Sequence, residues 1–289
     1  MSRAQRAGLF VCILLLALAT LFIWLTVLAE PKPSELTVAV LNVGQGDAIY
    51  IKSPTGVEVL IDGGPDSSVL RELPKVMSYG DRTIDAVIAT HPDADHIGGL
   101  VDLLPRYTVK NFIEPGIPKN TATSRVLEEE VDTEHIARTQ AYRGMWLELG
   151  GGAYLDILFP DFDVTTLSDS KANDGCVVAR LTYKNSSALF MCDASFDVEN
   201  DLLAAYGTTT MQNDLLKVGH HGSKYSSGNA FLDEVAASVA VVSVGAGNRY
   251  GHPTEEALGR LYVHGAKIYR TDKNGAVIFV SNGENFILK

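Results

Sequence analysis

Six residues caught between an apolar run and a helix-forming run constrain this chain most tightly. His91-Pro92-Asp93-Ala94-Asp95-His96 puts two imidazoles and two carboxylates into one short turn. Ahead of it, Ile84-Asp85-Ala86-Val87-Ile88-Ala89 is β-branched and apolar enough to be a buried strand; behind it, Gly98-Gly99-Leu100-Val101-Asp102-Leu103-Leu104 predicts a helix. Pro92 stops regular structure and the two glycines permit close backbone approach, so the four polar side chains can converge. A mixture of nitrogen and oxygen donors suits Zn, Mn or Fe better than Ca or Mg alone. A solvated turn with capping aspartates is the plain alternative, and four ligand-type side chains in six positions speak against it.

The N-terminal region has a different character. The run from Ala7 to Ala29 is uninterrupted by charge, is preceded by Arg3 and Arg6, and is followed by Glu30-Pro31-Lys32-Pro33. At about 1.5 Å per residue a helix of that length crosses a bilayer. The arginines favour a cytoplasmic N-terminus, which puts the remainder outside the cytoplasm. Val27-Leu28-Ala29 also fits a signal-peptidase site, in which case the protein is secreted, but the apolar run is long for a cleaved signal and favours an uncleaved, single-pass anchor. The expected division is therefore 1–30 as membrane anchor or signal segment and 31–289 as one α/β domain. The whole chain carries 24 basic and 35 acidic residues, a net charge of -11, which is poorly suited to gripping nucleic acid by charge alone. Divalent cations bound at a site would reverse the sign locally.

Along the chain, strand patterns at 36–41, 48–52 and 57–61 are separated by turns rich in Gly, Pro and Asp. A helix near 67–77, the strand before His91, a strand at 109–114 and a helix over 124–137 follow. A hairpin is expected from 145–149 and 153–159 over Gly150-Gly151-Gly152, then strands at 176–183 and 188–192 and a helix near 198–205. From Asp214 the grammar repeats: strand 215–218, a His-rich turn, helix 230–236, strand 239–244, and a helix capped by Thr254 that reaches His264. Strands 266–270 and 276–280 around Lys273-Asn274-Gly275 are expected to close the domain as a hairpin. In a simple hairpin over Lys184-Asn185-Ser186-Ser187, Ala179 faces Cys192 and Cys176 points to the opposite sheet face, so no disulfide is expected between the two cysteines.

The motifs carry a resemblance. His91-Pro92-Asp93-Ala94-Asp95-His96 resembles the His-x-His-x-Asp-His signature of metallo-β-lactamase-fold hydrolases, with Asp93 where the second His usually stands. That variant is similar to the C-terminal nuclease-like domain of the competence protein ComEC. Leu41-Asn42-Val43-Gly44-Gln45-Gly46-Asp47-Ala48, Leu215-Leu216-Lys217-Val218-Gly219-His220-His221-Gly222-Ser223-Lys224 and Asn248-Arg249-Tyr250-Gly251-His252-Pro253 fit the same subfamily, and the likeness covers about residues 36–289. It implies a four-layer αββα metallo-β-lactamase sandwich behind an N-terminal transmembrane helix. The layer logic of two β-rich halves permits that fold. It also implies two divalent metal ions, Zn or Mn, and a metal-dependent phosphodiesterase or nuclease. The partners it implies are single-stranded or double-stranded DNA as substrate, the membrane through residues 7–29, and a competence channel.

Under this resemblance Asp95, His96, Asp193 and His220 hold one metal, while His91, Asp193 and either Asp93 or Asp174 hold the other, with Asp47 and Asp62 buttressing the loop. Asp193 ends its strand where the family has a bridging aspartate. Asn173-Asp174 stands where the family offers a further His, so Asp174 could ligate or Asn173 contact substrate. Oxygen donors in place of two imidazoles harden that second site toward Mn or Mg. Two cations about 3.5–4 Å apart would lower the pKa of a bridging water and stabilise in-line displacement at phosphorus. Besides Asp95, the candidate catalytic groups are His252, as proton donor to the leaving oxygen, and Lys224; His221, Ser223, Asn248 and Arg249 are candidate substrate contacts. Cys192 departs from a usual Gly, Cys176 from a usual Ser, and Thr254 from a common His. Two rivals stand beside this expectation: hydrolysis of another ester or amide, such as a phosphocholine ester or a lactam, and a degenerate metal-binding module.

Overall fold

Both faces of the first strand are apolar, and that sets the layers. Leu36, Val38 and Val40 pack into one buried cluster and Ala39 and Leu41 into another, so the sheet they belong to must be covered on both sides. The computed structural model describes residues 2–28 and 35–289; Ala29 of the expected cleavage motif and the linker residues 30–34 lie outside them. Two compact units result, Met1–Ser34 and Glu35–Lys289. The first is a helix, α1 (Arg3–Leu28), whose stretch Arg3–Trp24 has a mean hydropathy of 2.6 and is long and apolar enough to cross a membrane.

In the second unit the chain builds one sheet, then the other, then returns. Strands β1 (Leu36–Val40), β2 (Ile49–Lys52), β3 (Glu58–Ile61), β4 (Thr83–Ile88), β5 (Thr108–Glu114) and β6 (Ala137–Gln140) lie side by side in that order. The second sheet takes β7 (Trp146–Gly150), β8 (Ala153–Phe159), β9 (Val178–Tyr183), β10 (Ser186–Phe190), β11 (Leu215–Lys217), β12 (Val239–Val242) and β13 (Lys267–Arg270). Finally β14 (Val277–Ser281) returns to pair with β1, and β15 (Phe286–Leu288) with β14. Side chains from both sheets, among them Val38, Ile51, Ile88, Leu155, Leu181 and Phe190, form the central core.

Helices α2 (Val69–Glu72), α3 (Ala94–Leu103) and α4 (Ala122–Thr133) cover the first sheet through Val69, Leu100 and Leu127. Helices α5 (Phe196–Thr210), α6 (Asn229–Val235) and α7 (Glu255–Val263) cover the second through Leu202, Phe231 and Leu261. This is the expected four-layer αββα sandwich. Strands β3 to β6 run parallel, as do β10 to β13. The carboxyl ends of β4, β10, β11 and β12 then release the loops that carry the polar motifs, the usual place for a site in a parallel sheet.

Three expectations need correction. The strands flanking Lys273-Asn274-Gly275 do not form a hairpin: β13 pairs with β12 and β14 with β1. A helical turn, α8 (Thr271–Asn274), carries the chain from one sheet to the other. The helix expected to run to 137 stops at Thr133, and Ala137–Gln140 is an exposed edge strand whose polarity hid it from any apolar periodicity. Cys176 and Cys192 are joined by a disulfide, with Cα atoms 6.4 Å apart. Face alternation did not govern them, because β9 begins only at Val178 and β10 ends at Phe190. The register sets Ala179 opposite Phe190, and Cys192 turns off the pleat at φ 42°.

Candidate metal centre

The site is assembled by turns that an L-residue adopts reluctantly. Asp62, Cys192, His220 and His221 all have positive φ, between 42° and 60°, a conformation that non-glycine residues keep only where the surroundings enforce it. The enforcing contacts include the helix after the acidic-histidine turn. Side chains at Gly98 and Gly99 would place Cβ 2.2 Å from Pro65 O and 2.1 Å from Gly63 O, so only glycine lets α3 lie on that loop.

Four donors then meet. His96 Nε2 is 3.3 Å from Asp193 Oδ1, and His221 Nε2 is 3.4 Å from the same oxygen and 3.3 Å from Asp95 Oδ2. Asp95, His96, Asp193 and His221 each offer an atom within 4.8 Å of the others. His96 Nε2, His221 Nε2 and Asp193 Oδ1 are buried without a hydrogen-bond partner. Buried polar atoms are rarely left so, and two imidazole nitrogens with carboxylate oxygens aimed at one point fit a divalent cation of the Zn or Mn type.

The outer contacts fix which nitrogen faces inward. His221 Nδ1 donates to Ser243 O at 3.0 Å, since a carbonyl can only accept. His96 Nδ1 donates to Asp62 Oδ2 at 2.7 Å, and Asp62 also accepts from Thr90 N and Thr90 Oγ1. Thr90 has spent its single hydroxyl proton there, so it accepts from His91 Nδ1 at 3.0 Å. All three imidazoles therefore present Nε2 lone pairs once neutral, the orientation that such partners impose at metal sites.

Charge balance points the same way. Burial opposes the charged form of His96 and His221, yet the carboxylates of Asp193 and Asp62 raise His96 well above its ordinary range, and Asp193 and Asp47 raise His221 to about 9. Burial, helped by neighbouring His96, lowers His91 well below its ordinary value and leaves it neutral. Near neutral pH the cation-free site thus keeps protons on His96 and His221, whereas ligation needs both neutral. Cation binding at pH 7 is expected to release about two protons. Calorimetry in buffers of different ionisation enthalpy checks this, and release of none would mean the imidazoles were already neutral.

Among the expected site residues, His221 rather than His220 enters the four-donor group. The consecutive left-handed residues tighten the turn after β11 and swing the second imidazole inward, leaving His220 one-third exposed with Nε2 3.7 Å from Asp193 Oδ2. Asp93 turns away to pair with Lys119, and Asp174 pairs with Lys171 at 3.6 Å. Asn173 sits half-buried in the turn before β9, its carbonyl accepting from Cys176 N. Among the described residues, no group of three or more donors within reach of one cation includes His91.

The other expected contacts lie on the loops that follow β11 and β12. Asn248 is committed to its own loop, accepting from Tyr250 N and His252 N and donating to His252 O. Ser223 is buried, its Oγ accepting from Tyr225 N. Lys224 and Arg249 lie over the rings of Tyr225 and Tyr250, and the His252 ring stands 5.7 Å from that of His220. Two residues escaped the sequence: Lys217, fully buried against Asp47, and Lys119. A lysine inside the otherwise apolar Leu215-Leu216-Lys217-Val218 was a legible signal, because a charge in a central strand must have a buried partner.

Comparison with known proteins agrees with this fold. Residues 41–246 match the family described as the Metallo-beta-lactamase superfamily. ComE operon protein 3 of Bacillus subtilis is 29% identical over 262 residues, covering 84% of this chain and 33% of that protein. Competence protein ComA of Neisseria gonorrhoeae is also 29% identical, covering 85% and 32%. The chain thus spans about a third of the length of these relatives. Among solved structures, the metallo-beta-lactamase fold protein YhfI from Bacillus subtilis superposes with a TM-score of 0.58 at 15% identity, covering 86% of this chain and all of that one.

Proposed function

The chain belongs to the metallo-β-lactamase superfamily, and from that premise we propose that it is a membrane-tethered, extracytoplasmic, metal-dependent phosphodiesterase acting on DNA. The observation that carries this is the convergence of His96 Nε2, His221 Nε2 and Asp193 Oδ1, all buried and unpartnered, beside Asp95. A divalent cation held there supplies Lewis acidity toward water and a phosphoryl oxygen. The chain's own groups do the rest. Asp62 and Ser243 O orient the imidazoles. His252 stands 5.7 Å from the His220 ring, where burial and the neighbouring imidazoles lower its pKa, so a proton passed to a leaving oxygen from it is available on the acid side of neutrality. Lys224 and Arg249 give exposed positive charge on the loops after β11 and β12 of an otherwise acidic protein.

DNA as substrate draws on the competence relatives and on two exposed tyrosine rings. Tyr225 and Tyr250 are 61% and 52% exposed, each with a cation over its ring, and Tyr250 stacks on His252 at 6.0 Å and 14°. Exposed rings on the loops after β11 and β12 offer stacking to bases of any identity. The extracytoplasmic location is supported by Arg3 and Arg6 in the first turn of α1, ahead of its apolar run, and by the Cys176–Cys192 disulfide, a bond typical of oxidising compartments.

Full-length protein in detergent, given Mn or Zn, is expected to cleave a single-stranded oligonucleotide and to stop when a chelator is added. The double substitution Tyr225→Ala and Tyr250→Ala should raise KM with little change in kcat, since each lost stack is worth about 1–3 kcal/mol of binding. Intact DNA alongside hydrolysis of a phosphocholine ester or a lactam would overturn the proposed substrate.

A further inference from the structure

Two expected donors of the second cation site are each paired with a lysine, and only one of those lysines is mounted rigidly. Asp93 is the N-cap residue of α3, yet its side chain makes no capping hydrogen bond and pairs instead with Lys119. Lys119 sits just before α4, where Ser124 Oγ donates to its carbonyl at 2.5 Å and the reciprocal Thr121–Ser124 capping box fixes the turn. Its side chain is only 15% exposed. Lys119 and His91 line the same cavity, of about 180 Å³, together with Pro92 and Ser124. His91 is buried and its Nε2 has no partner.

We propose that this chain holds one divalent cation, at Asp95, His96, Asp193 and His221, and that the Lys119 ammonium, anchored by Asp93, takes the place of a second. Three features favour this. Asp93 cannot offer its charge to a cation while it faces Lys119; a dication beside an ammonium in a partly buried cavity is repelled; and among the described residues no group of three donors within reach of one cation includes His91. Asp174, the other expected donor, is more exposed and faces Lys171. Lys119 is thus a positioning residue: it fixes charge beside His91 without a second ion.

The inference rests on the four-donor group binding a cation, and not on the identity of the substrate. The test is Mn titration of the full-length protein in detergent, followed by electron paramagnetic resonance of free Mn and elemental analysis after desalting. Wild type is expected to bind about one equivalent, Lys119→Ala about two, and Lys119→Ala combined with Asp93→Asn about one again. The double variant separates a freed carboxylate from a general loosening of the loop, because both variants carry the same Lys119→Ala change ahead of α4. Wild-type protein that binds two equivalents with similar affinity overturns the inference and leaves the proposed activity standing, as does Lys119→Ala remaining at one. Protein that binds no Mn at all removes both.

Discussion

Asp193→Ala is expected to lose the bound cation and to lower kcat/KM by well over about a hundredfold. The floor comes from a neighbouring class of change, since removing a residue that merely orients a metal ligand typically lowers affinity or activity about 10–100-fold. Asp193 is an inner donor, with Oδ1 3.3 Å from His96 Nε2 and 3.4 Å from His221 Nε2, and its other oxygen faces His220 at 3.7 Å. Asp62→Asn supplies the comparison. It weakens the 2.7 Å contact that orients His96 and should fall within that intermediate range. Both variants are read by metal content and by kcat/KM on the same preparation, with circular dichroism to show that the fold persists. An Asp193→Ala protein that keeps its metal and stays within tenfold of wild type would place the hydrolytic centre elsewhere.

Lys217→Met is expected to destabilise the domain by about 3–5 kcal/mol, the usual effect of leaving one partner of a buried ion pair alone. Lys217 and Asp47 are each 1% exposed, and the ammonium also donates to Cys192 O at 3.0 Å. Burial pushes the Asp47 carboxyl upward, but Lys217 and His221 hold it well below the usual carboxylate range. With methionine at 217 that carboxylate keeps the imidazoles of His221, at 3.4 Å, and His96, at 3.9 Å, as its cationic neighbours. Urea unfolding at pH 7 measures the change, and adding Asp47→Asn should recover part of it because the stranded charge is gone. A loss below about 1 kcal/mol would mean that water reaches the pair, as it does for surface bridges.

Local pattern made most of the fold legible. The apolar strand before His91, the glycines after it and the Thr254 cap each appear close to where they were expected. The failures lie where a local rule meets a tertiary decision. Nothing in Lys273-Asn274-Gly275 says that its flanking strands join different sheets; the partner strands, β12 and β1, decide that. Face alternation excluded the Cys176–Cys192 bridge only by assuming strand geometry to the ends of both runs, and the chain leaves the pleat before either cysteine. The two departures, a Cys for the usual Gly and a Cys for the usual Ser, are one feature in three dimensions. His220 and His221 are chemically identical in sequence, and only a turn with two left-handed residues distinguishes the inward imidazole from the outward one. Lys119 is invisible from Asp93 because 26 residues separate them.

Anomalous diffraction from a crystal of the protein grown with Zn and measured at the Zn absorption edge tests the centre most directly. The expected result is a strong peak about 2.0–2.3 Å from His96 Nε2, His221 Nε2, Asp95 and Asp193. A peak ligated by His220 with His221 remote, or no peak among these four side chains, would contradict it.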